Sequence, residues 1–187
     1  MFSVLKKLLF ARQIKFEEGK IVLFNQRINM VPVYSFATLQ MEIEKIGKEE
    51  IIYQSMKKLG RQWTTDLQRE YKTKHRAVIE WGINVVTLAG YGTVEIIKDS
   101  VEKKAAVYLL KDSSMVDYIL KNKIKVKHPV DHMFRGMLAG TYCTLYNMDM
   151  DCVETKCRAK GDKVCEFVVK ERSKFDLKDP KIKRQIA

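Results

Sequence analysis

The chain has 187 residues, 46% of them hydrophobic and 31% charged, so it is long and apolar enough to fold around a core and is not disordered by composition. No run of about 18 uncharged apolar residues occurs, so no transmembrane helix is expected. The formal net charge is +12, but the basic residues are spread along the chain, with a local excess only after Val169. Without a base-reading basic helix or an aromatic RNA platform, nucleic acid is not the expected partner.

Met1 to Ala11 places Phe2, Leu5, Leu8 and Leu9 on one helical face. Lys6 and Lys7 interrupt the apolar run that a secretory signal would need, so the segment is read as a short amphipathic helix packing on the core or on a second subunit. Gln13 to Phe24 reads as a β-hairpin, with Ile14 and Phe16 alternating on one arm, Ile21 and Leu23 on the other, and Glu18-Gly19 in the turn. Pro32 ends the extended region. Phe36, Leu39, Ile43 and Ile46 then recur at helical spacing, with Ser35 as N-cap and Gly47 as stop. A second helix is expected over residues 48–69, with the stripe Ile52, Met56, Leu59, Trp63 and Leu67. A third is expected over 73–88, with Ala77, Trp81, Val85 and Leu88 on one side and Gly90 and Gly92 beyond its end.

Residues 93–97 and 105–111 read as strands joined by a polar turn. Asp112-Ser113-Ser114 caps a short helix running through Leu120. His128-Pro129 breaks the chain, and residues 130–146 form a helix rich in small residues. A terminal hairpin pairs 152–156 with 164–170 across a turn containing Gly161. Hairpins alternating with helices predict an α+β fold, an antiparallel sheet covered by helices.

Four cysteines are present. With no secretion signal the expected compartment is cytoplasmic and reducing, where clustered cysteines point to metal more than to disulfides. The pattern Glu154-x2-Cys157-x7-Cys165, with Gly161-Asp162 between the cysteines, places two thiolates at the base of a glycine-containing turn. Zinc accepts sulfur and carboxylate oxygen in tetrahedral sites. Glu154 and Cys157 would face opposite ways on a regular strand, so the site requires the strand to bend or end near Thr155. Otherwise Cys157 and Cys165 are ordinary core cysteines. Cys143 and Cys152 are read as core or free thiols.

His128-Pro129-Val130-Asp131, Gly136, Leu138-Ala139-Gly140, Glu154-x-x-Cys157, Gly161-Asp162 and Cys165-x-Phe167 together resemble the 4-vinyl reductase domain family, most strongly over residues 112–170. The resemblance implies a twisted antiparallel sheet flanked by helices with a C-terminal metal-binding β-hairpin. It also implies kinship with the sensor domains of aromatic-responsive bacterial activators and, distantly, with vesicle-tethering subunits. On that reading residues 1–187 form one ligand-binding domain: hairpin and helices over 1–90, a core motif region over 91–170 and a basic tail over 171–187. The sensor relatives hold zinc with one glutamate and three cysteines. Glu154, Cys157 and Cys165 match three of those positions, and Asp131 stands where the fourth cysteine would be. Asp131, His132, His128 or no residue completes the set.

Trp81, Tyr108, Phe134, Met137 and Tyr142 are candidates to line an apolar cavity for a hydrophobic or aromatic small molecule, or else are core. No phosphate loop, nucleophile motif or dinucleotide fingerprint is present, and no catalytic residue is named. The expectation is a zinc-containing, dimeric ligand-binding or sensory module with no output domain of its own, passing its signal to a protein partner. The alternatives are a reductase or accessory protein acting on a vinyl-bearing or tetrapyrrole-like substrate, and a protein–protein adaptor.

Overall fold

A computed structural model describes residues 14–72 and 74–186. The expected helix over 1–11 lies outside the described residues. Strands β1 (Ile14–Glu17), β2 (Lys20–Leu23) and β3 (Gln26–Ile28) form a three-stranded antiparallel sheet. Helices α1 (Val33–Lys45), α2 (Glu49–Tyr71) and α3 (His75–Leu88) follow. Strands β4 (Thr93–Ser100) and β5 (Ala105–Lys111) lead to α4 (Ser114–Lys121) and α5 (His132–Tyr146). The hairpin β6 (Met150–Lys156) and β7 (Cys165–Glu171) precedes a last short helix, α6 (Pro180–Ile186). The second sheet has the order β4-β5-β7-β6 with every pair antiparallel. The α+β class and the terminal hairpin are therefore as expected.

Strand β3 was not expected, and the reason is local. The β2–β3 turn places Phe24 and Asn25 at φ of 50° and 61°. That left-handed pair is the geometry of a tight hairpin turn that glycine or asparagine normally signals. Burial offsets the strain at Phe24, whose ring stacks on Trp81 at 5.1 Å and meets Trp63 and Tyr71 edge-on. On β1, Ile14 is buried while Phe16 is exposed.

Two helices bury a different face from the one their apolar spacing predicts. Helix α1 begins at Val33, after Pro32, two residues before the expected cap at Ser35. Its buried residues are Ala37 and Gln40, whereas Phe36, Leu39 and Ile46 are exposed. Gln40 Nε2 donates to Val130 O at 2.7 Å, so a polar hook on the loop before α5 sets the rotation of the helix. In α2 the buried face is Tyr53, Lys57, Gly60, Thr64 and Leu67, one step round from the expected stripe at most positions. Helix α5 packs along it in close backbone approach. A Cβ at Gly60, Gly136 or Gly140 would drive into the facing backbone of Met137, Tyr53 or Lys57 respectively. Glycine permits that approach. Lys57, buried in the seam, is neutralised by Asp151 at 2.6 Å and Asp149 at 3.1 Å.

The segment after β7 was read as a basic tail, but α6 folds back onto the sheet edge. Ile186 and Gln185 are buried. The Gln185 carboxamide accepts from Glu154 N at 2.9 Å and donates to Glu154 O at 3.1 Å, replacing a neighbouring strand. Arg184 pairs with Glu49 at the start of α2.

Candidate metal centre and ligand cavity

Strand β6 pairs regularly with β7 until Glu154, where the register slips between Glu154 and Lys156. This irregularity at Thr155 is the bend that the spacing required. A bulge re-aims side chains that a regular strand would send to opposite faces. Past it, Cys157 leaves the strand and a 3-10 turn, Arg158–Lys160, leads through Gly161 at φ 100°. The turn is fixed by Cys157 N donating to Asp162 Oδ2 at 2.8 Å and Arg158 N donating to Cys165 Sγ at 3.4 Å. One donor atom from each of Glu154, Cys157 and Cys165 lies within 4.8 Å of the others, and all three residues are buried.

Asp131 sits immediately before α5, beside this group. Its backbone N–H donates to Glu154 Oε2 at 3.0 Å, and its Oδ1 accepts from Ser113 Oγ at 2.6 Å. Asp131 Oδ2 and Glu154 Oε1 are buried with no hydrogen-bond partner. Ser113 also caps α4 by accepting from Val116 N, so one hydroxyl ties that cap to the acidic cluster. Burial, then the nearby Asp131 and Cys157, holds the Glu154 carboxyl well above its usual range. Burial pushes Asp131 up to about 6. A hydrogen bond with the Cys165 thiol brings Cys157 down to about 6, and the same bond, with burial, raises Cys165. Two thiols and two carboxyls thus share a buried space in which two carboxylate oxygens lack a well-formed hydrogen bond. Buried polar atoms without partners are costly. A divalent cation with sulfur and oxygen affinity would satisfy them, so the residues present fit zinc as donors.

The histidines are placed elsewhere. His132 is buried with Nε2 at 3.0 Å from Glu44 Oε1 and Nδ1 at 2.8 Å from Arg135 Nη2, so both ring nitrogens are engaged away from the cysteines. His128 is exposed on the loop before α5.

A largely apolar cavity of about 340 Å³ lies between the two sheets and helices α2, α3 and α5. Its walls include Trp63, Ile83, Tyr108, Phe134, Met137 and Leu138, with Leu23 and Ile28 contributed by the three-stranded sheet. Tyr108, Phe134 and Met137 were expected there. Trp81 and Tyr142 are not among the lining residues. Trp81 packs on Phe24 and Tyr71 in a satellite cluster. Tyr142 is spent on polar contacts, donating to Asp99 Oδ1 at 2.9 Å and meeting the Tyr108 hydroxyl at 2.6 Å. The lining residues that were missed carry weaker signals: Trp63 lay on the expected α2 stripe, Leu138 in the family motif, and Ile83 on no expected stripe.

Comparison with known proteins agrees with this architecture. Residues 115–171 match the family model of the V4R domain. An uncharacterized protein of Methanocaldococcus jannaschii is 29% identical over 149 residues, covering 79% of this chain and 80% of that protein. The phenol-responsive sensory domain of the transcription activator PoxR, solved with phenol, superposes with a TM-score of 0.81 at 18% identity, over 99% of this chain and 96% of that one. Subunit 3 of a trafficking protein particle complex from Naegleria fowleri, covalently bound to palmitic acid, gives 0.54 at 11% identity, over 75% and 92%. A vinyl-4-reductase family protein from M. jannaschii gives 0.53 at 20% identity, over 77% and 83%. The segment from α4 through β7, which holds Asp131, Glu154, Cys157 and Cys165, thus matches the V4R domain model, and the chain as a whole shares its fold with the PoxR sensory domain.

Proposed function

We propose that the protein is a zinc-containing module that binds a hydrophobic or aromatic small molecule and passes its occupancy to a protein partner. The observation that carries this reading is the shared use of α5. Phe134 and Met137 of that helix face the apolar cavity, and Asp131 at its start adjoins Glu154. Phe134 also packs edge-on against Phe167 of β7 at 4.8 Å, so the cavity wall and the cysteine hairpin are in direct contact. The cavity volume falls in the range of ~300–1,000 Å³ usual for small-molecule sites. The likeness to a sensory domain solved with phenol supports an aromatic guest. Zinc would be held by Glu154, Cys157 and Cys165 with Asp131 as the fourth donor. It would fix the hairpin against the start of α5 and do no chemistry on the guest.

The test is elemental analysis of reduced, tag-free protein together with a thermal-shift titration using phenol. About one zinc per chain and a saturable rise in melting temperature would support the reading. Protein that contains no zinc and does not respond to phenol or its alkylated homologues would sink it. The exposed apolar residues of α1, Val33, Tyr34, Phe36 and Leu39, with Ile46 at its C-cap, favour a second role as a contact surface, whether for a second copy of the chain or for an output partner.

A further inference from the structure

A second cleft, of about 420 Å³, opens where α6, the β6–β7 hairpin and the start of α5 meet. It has no lining residue in common with the apolar cavity. Its chemistry is also different. Arg135, Lys160, Lys170, Lys181 and Arg184 converge on it, against Glu49, Glu154 and Asp179. Of those acids, Glu49 is already paired with Arg184.

The floor of the cleft holds an unusual cation. Arg135 is 1% exposed. Its Nη1 donates to Gln185 O at 2.5 Å and weakly to Cys152 O, and its Nη2 donates to His132 Nδ1. Its Nε has no partner. Among the described residues no acid forms an ion pair with it. Its direct hydrogen bonds all go to neutral acceptors, so burial strips its hydration and leaves only the longer-range charge of Asp131 to offset that cost. The face of Tyr53, 4.7 Å from the guanidinium carbon, compensates in part.

We propose that this cleft binds a phosphate group between Lys160 and Lys181 on its rim, with the buried Arg135 beneath contributing its positive field rather than a direct contact. A phosphate carries up to two charges and three acceptor oxygens. It suits separated cations converging from different elements better than a single carboxylate does. The phosphate belongs to a soluble small molecule or to a lipid headgroup. Both sources share this chemistry, and both would brace α6 against the edge of β6.

The protein as purified, with any metal retained, is titrated with inorganic phosphate at constant ionic strength and followed by calorimetry and amide NMR. In parallel it is sedimented with phosphatidylcholine vesicles containing phosphatidic acid. Saturable phosphate binding is expected, with shifts in α6 and around Arg135. Lys160→Ala with Lys181→Ala, both exposed, should raise the dissociation constant about tenfold, a loss of about 1.4 kcal/mol. Lys178→Ala with Lys183→Ala, on the same segment but outside the cleft, should leave it unchanged. Vesicle binding lost in the first pair alone identifies a headgroup, and phosphate binding without vesicle binding identifies a soluble ligand. Absence of both responses, or equal weakening by the two pairs, overturns the site.

Discussion

Cys157 is the residue on which the candidate centre turns. Its sulfur lies within 4.8 Å of donor atoms on Glu154 and Cys165, and its carbonyl and amide shape the turn between the cysteines. If metal ties this hairpin down, Cys157→Ser should release the zinc and lower the melting temperature by several degrees, because binding energy at such a site is folding energy. Cys143→Ser serves as the control. The Cys143 thiol bonds Met150 and lies outside the cluster, so this change should leave zinc content intact. A Cys157→Ser protein that kept full metal would remove this residue from the ligand set. Here the sequence was informative. The spacing of Glu154, Cys157 and Cys165 demanded a bend at Thr155, and a register slip lies there.

At the scale of elements, the α2–α5 seam decides the packing. Gly140→Ala would push a methyl group into the Lys57 carbonyl and Arg61 amide of the facing helix. Backbone cannot swing aside as a side chain can, so the cost should be at least the ~1–3 kcal/mol typical of overpacking. Gly82→Ala is the contrast. Its methyl group would meet only the Trp63 ring at 3.6 Å, and the gain in helix propensity should stabilise by up to ~1 kcal/mol. Chemical denaturation of the two variants measures both. Glu49 makes a second prediction at this scale, since it joins the start of α2 to α6. Burial acts to raise its pKa, but its own backbone hydrogen bond and Arg184 outweigh that and hold the carboxyl below its ordinary 4.5. A depressed native value means that the stabilisation is complete above the unfolded value and is lost as pH falls through the native one. Glu49→Gln should therefore cost roughly 1 kcal/mol at neutral pH, and the two proteins should converge as pH falls through the depressed native value. Melting curves across pH 3–7 would show whether they do.

For the whole molecule, the consequential feature is that the apolar cavity is closed by parts distant in sequence: β2 and β3, helices α2, α3 and α5, and Tyr108 of β5. A guest that binds only the folded chain stabilises it in proportion to the logarithm of its concentration over its dissociation constant. Met137→Trp should fill the volume and abolish the phenol-induced rise in melting temperature, while zinc content stays unchanged because Met137 is not part of the cysteine cluster. Parallel loss of zinc would mean that the substitution had damaged the fold rather than the cavity.

The sequence by itself determined the order and type of most elements, the α+β class and the position of the cysteine hairpin. These follow from local physics: apolar periodicity, the serine cap of α4, the break at Pro129 and the spacing of soft donors along one short segment. Only the tertiary structure decided which helix faces are buried. Gln40 turned α1 by bonding Val130 O, and three glycines turned α2 by admitting α5. Neither effect leaves an apolar pattern to read. Strand β3 and helix α6 were hidden for the same reason. The first depends on a left-handed Phe24 stabilised by aromatic packing, and the second on Gln185 pairing with Glu154, a residue 31 positions away. The cavity wall likewise replaced Trp81 and Tyr142 with Trp63, Ile83 and Leu138, because which aromatic meets a void depends on where distant elements come to rest.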